Sequence, residues 1–165
     1  MKKKIFLLSA ILLLFIAAAG VWWFITRDQR AVKELIGNVV QWVQVRQGKM
    51  AHEGVLKHTK SGDFFAPPVK IMLRKPEMNF EFGQDNLEQY WMMYFRYVES
   101  MSVQTGDISV EIADGRAVFS FDAEISGAFQ RGKFDFEGIY LVSGSAEKID
   151  GNWKISSVTV EPLVQ

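Results

Sequence analysis

The fold is decided by residues 114–126, which read DGRAVFSFDAEIS. Apolar and polar residues alternate from Phe119 to Ser126, which is the period of a β-strand with one face on a core and one in water. The preceding Asp114-Gly115 pair is typical of a hairpin turn with positive φ angles, and Asp150-Gly151 repeats it. The C-terminal half is therefore predicted to form a meander of four strands, at about 101–112, 116–128, 132–148 and 152–162.

Helical spacing is confined to the N-terminal half of the chain. Apolar residues between Asp28 and about Gln47 recur as in a helix that buries one face, and a short second helix is predicted at about 50–59. A turn cluster at residues 61–63 follows, and residues 69–73 are predicted to form a short strand. Helices before strands predict an α+β domain with N-terminal helices packed on a curved antiparallel sheet.

The clearest predicted helix follows Asp85. Its carboxylate is expected to cap the helix, and Glu88 three residues later completes a capping-box pattern. Met93 and Tyr97 add apolar surface, so this helix is expected to be covered on more than one side. Its remaining apolar residues recur at i, i+3, i+4, i+7, i+8 and i+11 and predict one continuous buried stripe: Leu87, Tyr90, Trp91, Tyr94, Phe95 and Val98.

The N-terminal segment predicts a membrane anchor. Residues 5–25 carry no charge, and a helix of that length, at about 1.5 Å per residue, spans the roughly 30 Å core of a bilayer. The lysines at 2–4 favour a cytoplasmic start, so residues 1–27 are the predicted anchor and residues 28–165 a single domain outside the cytoplasm. The segment is typical of bacteria, which indicates a single-pass protein of the inner membrane with a periplasmic or extracellular domain.

A cleaved signal peptide is the alternative, because residues 17–20 supply small side chains for cleavage after Ala19. Such cleavage would leave an exposed apolar N-terminus, since the uncharged run continues to Ile25. Both interpretations place the domain outside the cytoplasm, the second as a secreted protein. The chain has no cysteine, which excludes disulfides, thiolate metal sites and a thiol nucleophile.

Charge and motifs exclude other classes of function. Residues 28–165 carry 15 basic against 19 acidic residues, a net charge of −4, and the basic ones are scattered, so nucleic acid is not an expected partner. His52 and His58 are six residues apart, which turns their rings about 120° from each other on a helix, so no metal site is predicted. The chain contains neither a phosphate-binding glycine loop nor a dinucleotide fingerprint, and no cofactor is predicted.

The predicted order α-α-β-α-β-β-β-β resembles the nuclear-transport-factor-2-like superfamily, the cystatin-like, cone-shaped α+β proteins that include SnoaL-like and ketosteroid-isomerase-like domains. Three segments support the resemblance: Gly62-Asp63, residues 115–119 and residues 150–155. It implies a cone-shaped fold behind the anchor and, as in the resembling families, a homodimer through the exposed sheet face. Function does not follow, because this fold includes isomerases, dehydratases, cyclases and proteins that only bind or assemble.

Four residues are candidates for chemistry. Tyr90 and Tyr94 are predicted to point inward, where a phenol could donate a hydrogen bond to a ligand, as in ketosteroid isomerases; tyrosines that belong to the core are the other interpretation. Asp122 and Glu124 share one strand face and could divide acid and base roles, although a solvated polar face explains them as well.

Two hypotheses of function follow. The first is a membrane-tethered, non-catalytic binding or assembly domain of the bacterial cell envelope, with envelope proteins as partners. The alternative is a domain that binds a small apolar ligand, or an isomerase-like or cyclase-like enzyme, with the ligand in a pocket of the cone.

Overall fold

The computed structural model describes Trp23 and residues 26–46, 49–50, 61–129 and 134–163. These residues form three helices: α1 (26–43), α2 (Ser61–Phe64) and α3 (Gln84–Tyr97). They also form nine strands: β1 (Val45–Arg46), β2 (Lys49–Met50), β3 (Phe65–Arg74), β4 (Glu77–Phe82), β5 (Val98–Thr105), β6 (Ser109–Ala113), β7 (Arg116–Phe129), β8 (Phe134–Ile149) and β9 (Asn152–Pro162).

The strands form one sheet in the order β2-β1-β5-β7-β8-β9-β3-β4, and β6 also pairs with β7. Every pair is antiparallel except β3 and β9, which run parallel, with Phe65 opposite Ile155 and Ile71 opposite Val158. The predicted α+β class is confirmed. The sheet, however, is mixed rather than antiparallel, because β3 enters it alongside the last strand.

Three of the four predicted long strands match β7, β8 and β9 to within two residues. The predicted hairpin turns are also confirmed, since φ is +50° at Asp114 and at Asp150, and +74° and +82° at the glycines that follow. The predicted strand 101–112 is two strands. Residues 106–108 lie between β5 and β6 opposite only two residues of β7, so one extra residue interrupts the pairing as a bulge.

The predicted helix boundaries need correction. Helix α1 ends at residue 43 rather than Gln47, because Val45 pairs with Met101 in the sheet. Of the predicted helix 50–59, Met50 belongs to β2 and the remainder lies outside the described residues. A further strand, β4, was not predicted; it pairs along β3, which is itself longer than the predicted 69–73.

Helix α3 begins one residue before the predicted cap. Gly83 is the N-cap residue, and no side chain caps the helix, so the predicted capping role of Asp85 is wrong. The predicted partner, Glu88, is used elsewhere: one of its carboxylate oxygens accepts hydrogen bonds from the backbone N–H of Ser61 at 3.0 Å and from its hydroxyl at 2.6 Å. Glu88 thereby attaches α2 to α3.

The core lies between α1 and one face of the sheet, here called the inner face. Helix α1 buries Val32, Leu35 and Ile36, at 8% exposure or less. Alternation along β7 supplies the opposite side of this core: Ala117, Phe119, Phe121 and Ala123. The opposite surface of the sheet, here called the outer face, carries the intervening polar residues of β7.

Apart from Trp23, the predicted anchor at residues 5–25 lies outside the described residues. Within the part of the chain that the structure describes, no helix is long and apolar enough to cross a membrane.

Candidate functional site

The predicted acid pair lies on the outer face. Asp122 and Glu124 are exposed, while Phe121 and Ala123 beside them are buried on the inner face. The two carboxylates therefore point away from α1 and from the core. This arrangement agrees with the solvated-face interpretation and separates the acids from both candidate tyrosines.

Tyr94 has a structural contact inside the domain. Its hydroxyl donates a 2.7 Å hydrogen bond to the backbone carbonyl of Val43, and its ring packs edge-on against Trp91, with 5.5 Å between the ring centroids. Burial raises the pKa of the phenol well above its ordinary value. The hydroxyl is thus a neutral donor that ties α3 to the end of α1.

Tyr90 was predicted to be part of a buried stripe, and this prediction is wrong. Its side chain is 53% exposed, and its ring makes an edge contact with Phe82 at a centroid distance of 4.7 Å. Met93 and Tyr97, one and two turns further along α3, are also about half exposed, so the helix is not covered on a second side. Of the stripe residues whose side chains the structure describes, Leu87 at one end and Val98 just beyond the other are buried, and the side chain of Phe95 lies outside that description.

Aromatic side chains fill the space between the helices and β3. Trp42 packs edge-on against Trp91 at 4.4 Å, and Trp91 stacks on Phe65 at 5.8 Å. Phe64 adds a further ring 5.4 Å from Trp42. The tryptophans at 42 and 91 therefore contribute to packing.

An open cleft of about 390 Å³ lies beside the first turns of α1, between α1, α2 and the β8–β9 hairpin. It opens on the same side of the sheet as the core. Its apolar wall is formed by Ala31, Leu35, Phe64 and Trp153. Its charged residues carry both signs and are Arg27, Asp28, Glu34, Asp63 and Lys148.

Asp28 is held in this cleft by two hydrogen bonds. One of its carboxylate oxygens accepts a hydrogen bond from the Lys148 ammonium at 3.0 Å and from the Trp153 indole N–H at 3.3 Å. Lys148 also lies over the Trp153 ring, 5.5 Å from its centroid. Partial burial by itself would raise the pKa of Asp28, but these two hydrogen bonds and the charges of Lys148 and Arg27 lower it overall.

The chemical consequence is that Asp28 is a fixed anion near neutral pH. A carboxylate whose pKa is lowered is a poor proton donor and a weak general base, because catalysis favours a pKa near the working pH. Asp28 can orient neighbouring groups or pair with a cation, but it is poorly suited to transferring protons.

Sequence reasoning missed this cleft. The Asp150-Gly151 turn sets Lys148 directly opposite Trp153, and that pairing could have been derived from the hairpin register. Asp28 lies 120 residues before Lys148, and no local pattern indicates that they meet.

Two contacts hold α2 at the cleft. Ser61 donates hydrogen bonds from its backbone N–H and its hydroxyl to the Glu88 carboxylate. The ammonium of Lys154 donates a 2.6 Å hydrogen bond to the Gly62 carbonyl. These bonds hold the first two residues of a four-residue helix, and Asp63 and Phe64, which follow them, line the cleft.

The described residues contain no group of three His, Asp or Glu side chains arranged to hold a metal ion. His52 and His58 lie outside those residues. The sequence prediction of no metal site and no cofactor stays a prediction.

The comparisons with known proteins rest on structure alone. No protein-family model matches the chain, and no curated protein matches its sequence. Solved structures do match. A nuclear-transport-factor-2-like superfamily protein from Salmonella enterica superimposes with a TM-score of 0.66, over 85% of this chain and 94% of that one, at 12% sequence identity. The chain has the nuclear-transport-factor-2-like fold.

Further structures support the same assignment. A protein from Kribbella flavida superimposes on this chain with a TM-score of 0.68, at 13% identity, covering 85% of this chain and 93% of its own. A hexachlorocyclohexane dehydrochlorinase from Novosphingobium barchaimii gives a TM-score of 0.60 at 11% identity, covering 84% and 88%. The fold implied by the sequence resemblance is therefore confirmed, and at these identities the likeness concerns the fold alone.

Proposed function

We propose that the chain is a membrane-tethered, non-catalytic binding or assembly domain of the bacterial cell envelope, with residues 1–27 as its single anchor and residues 28–165 outside the cytoplasm. The observation that supports it is the dispersal of the candidate catalytic residues. Asp122 and Glu124 lie on the outer face, Tyr90 is exposed on α3, and Tyr94 is bonded to a backbone carbonyl in the interior. None of these four residues lines the cleft beside α1.

The position of the cleft agrees with a tether. It is lined by Arg27, the last residue of the predicted anchor, and by Asp28, the first residue after it, and the Arg27 guanidinium lies 5.7 Å from the centroid of the Trp23 ring. Tryptophan is enriched at the membrane–water interface. An anchor joined directly to α1 would confine the domain near the bilayer and raise its effective concentration for partners there.

The tether and topology can be tested on the full chain with a C-terminal tag, expressed in a Gram-negative bacterium. We expect the protein to stay with membranes after alkaline extraction, and its tag to be digested by protease in spheroplasts with intact inner membranes. Release by alkali, or protection of the tag until the membrane is lysed, would contradict the proposal.

Binding can be tested in the same membranes by chemical crosslinking. We expect a discrete heavier species whose second component is an envelope protein, and we expect the same species when the tag is moved to that partner. A chain that forms no reciprocal crosslink at any cell density contradicts an assembly role.

A second function is favoured by the cleft itself: binding of a small apolar ligand, or isomerase-like or cyclase-like chemistry. The cleft is large enough for a small molecule, and its apolar wall includes the Trp153 indole. The dehydrochlorinase named above has the same fold. A ligand that shifts the tryptophan fluorescence and raises the melting temperature, with both effects weakened by Leu35→Ala, would support this alternative over the first proposal.

A further inference from the structure

We infer that the outer face binds a cationic, partly apolar polypeptide segment of a partner, at a patch on β7, β8 and β9. The patch has an apolar centre and a rim of carboxylates, and it is called the acid-rimmed patch below. Its members are Ile139, Leu141, Leu163, Asp122, Glu124, Glu137 and Glu161. The inference rests on the proposed binding function and names the surface and the chemistry of the partner.

The strand register brings these residues together. Leu141 lies directly opposite Asp122 on β7 and opposite Glu161 on β9. Ile139 lies opposite Glu124, and the N–H of Leu163 donates a 2.9 Å hydrogen bond to the Ile139 carbonyl. Directly opposed side chains on one sheet face have Cβ atoms about 4.5–5.5 Å apart, so Leu141 and Ile139 each have a carboxylate as an immediate neighbour, while Leu163 lies beside Ile139.

The patch is exposed and electrostatically unbalanced. Ile139 and Leu163 are 48% and 47% exposed, although both are large apolar residues. All four carboxylates of the rim are exposed, and none forms an ion pair with another residue that the structure describes. The patch thus carries a local charge of −4 around an apolar centre.

One basic side chain of the described outer face lies at the rim, because the register that pairs Leu73 with Val160 continues to place Arg74 beside Glu161. Arg116 is on the same strand face as Asp122 but six residues away, which is about 20 Å at roughly 3.3 Å per residue and beyond the Debye length of about 8 Å at physiological salt. Lys70 on β3 lies opposite Ser157 of β9, which is four residues from Glu161 along that strand. Lys70 also lies opposite Glu81 on β4. Asp122, Glu124 and Glu137 have no basic residue opposite them in the described strand register, so the rim keeps a net negative charge.

Charge also decides between a partner and a second copy. A two-fold homodimer places the same surface on both sides of its interface, so dimerisation through this patch would bring four carboxylates against four. Like charges brought together in this way are unfavourable, whereas lysine or arginine side chains flanking apolar ones would neutralise the rim and cover its centre. The predicted homodimer through the sheet is thus disfavoured at this position at neutral pH.

The test uses the full chain in phosphatidylcholine nanodiscs and a fluorescent 13-residue peptide of alternating lysine and leucine, with fluorescence anisotropy as the readout. We expect Asp122→Asn combined with Glu124→Gln to weaken binding about tenfold or more. The matched control is Glu77→Gln combined with Glu81→Gln, which removes the same charge from the outer side of β4 and should change the Kd by less than about twofold. Equal losses from both double variants would show diffuse attraction and overturn the inference.

The contribution of the apolar centre to peptide binding is tested by a second variant with its own control. Ile139→Ser should weaken peptide binding about fivefold, and Val118→Ser should leave it unchanged, because Val118 is 59% exposed on the same face but lies outside the patch. A peptide with serine for leucine should bind less tightly and lose its dependence on Ile139. Equal effects of the two variants would contradict a specific patch.

Two outcomes separate this inference from the proposed function. Sedimentation of the wild type as a dimer that Ile139→Ser makes monomeric would assign the patch to a second copy and overturn the cationic occupant. If the membrane crosslink to an envelope protein persists unchanged in Asp122→Asn/Glu124→Gln, the binding function stands and the patch assignment fails. If the chain is not held at the membrane but peptide binding depends on the patch, the patch assignment stands and the proposed membrane tether fails.

Discussion

Gly144 is the position at which a single methyl group should disturb the fold most, because β8 is packed tightly between β7 and β9 there. Gly144 lies opposite Phe119 on one side and Val158 on the other. A Cβ added to it would overlap the backbone carbonyl oxygen of Ser157 and would lie 2.6 Å from Cζ of Phe119. Neither neighbour can move freely, since one is sheet backbone and the other is a core ring at 2% exposure.

The expected cost of Gly144→Ala follows from this crowding. Overpacking a core costs about 1–3 kcal/mol, and the upper end applies where backbone must shift. For a domain of this size, each kcal/mol lowers the melting temperature by roughly 2–4 °C, so we expect a loss of about 9 °C. The assay is thermal unfolding of the full chain followed by circular dichroism in mild detergent.

Gly37 supplies the matched control for Gly144→Ala. It lies within α1, and a Cβ added there has nothing within 4 Å. Because alanine is favoured over glycine in a helix by about 1 kcal/mol, Gly37→Ala should raise the melting temperature by roughly 2–4 °C. If Gly144→Ala instead melted within 2 °C of the wild type, the register that aligns β7, β8 and β9, and with it the acid-rimmed patch, would be wrong.

Three further changes test the contacts around the cleft and α3. Asp28→Ala should lower the free energy of unfolding by about 1–2 kcal/mol at pH 7. Because the pKa of Asp28 is lowered in the folded protein, its contribution is present above the unfolded pKa of about 3.9 and is lost as the pH falls through the folded pKa. In urea unfolding, the stabilities of the variant and the wild type should therefore differ at pH 7 and converge in acid. Tyr94→Phe leaves the Val43 carbonyl without this donor and should cost about 1–2 kcal/mol in urea unfolding, whereas Tyr97→Phe, at an exposed position, should cost almost nothing. Glu88→Ala removes the acceptor of both Ser61 hydrogen bonds and should cost about 1–3 kcal/mol; a loss no larger than that of the exposed-residue variant Gln89→Ala would contradict the described contact.

The parts of the fold that could be predicted from sequence are those with local causes. Alternation from Phe119 to Ser126 and the two Asp-Gly turns located three long strands, since side-chain period and turn geometry are both properties of neighbouring residues. The cap at Asp85 failed for a non-local reason: Glu88, its expected partner, binds Ser61, which lies 27 residues earlier in the chain. Local pattern cannot reveal such competition.

The candidate site was less predictable. The parallel pairing of β3 with β9 joins segments more than 80 residues apart, and alternation does not specify a partner strand. The stripe on α3 gave the correct period, but period alone does not say whether another element covers each side of a helix, and Tyr90 is exposed. Asp28 and Lys148 meet only because α1 begins beside the β8–β9 hairpin.

The central claim, a binding domain held at the membrane by its own N-terminus, is tested most directly by the intact mass of the protein purified from the membrane fraction. Retention of the anchor predicts the mass of the whole 165-residue chain, with or without its first methionine. A mature protein that begins at Gly20 and is recovered in the soluble envelope fraction would contradict the tether and, with it, the proposed mode of action.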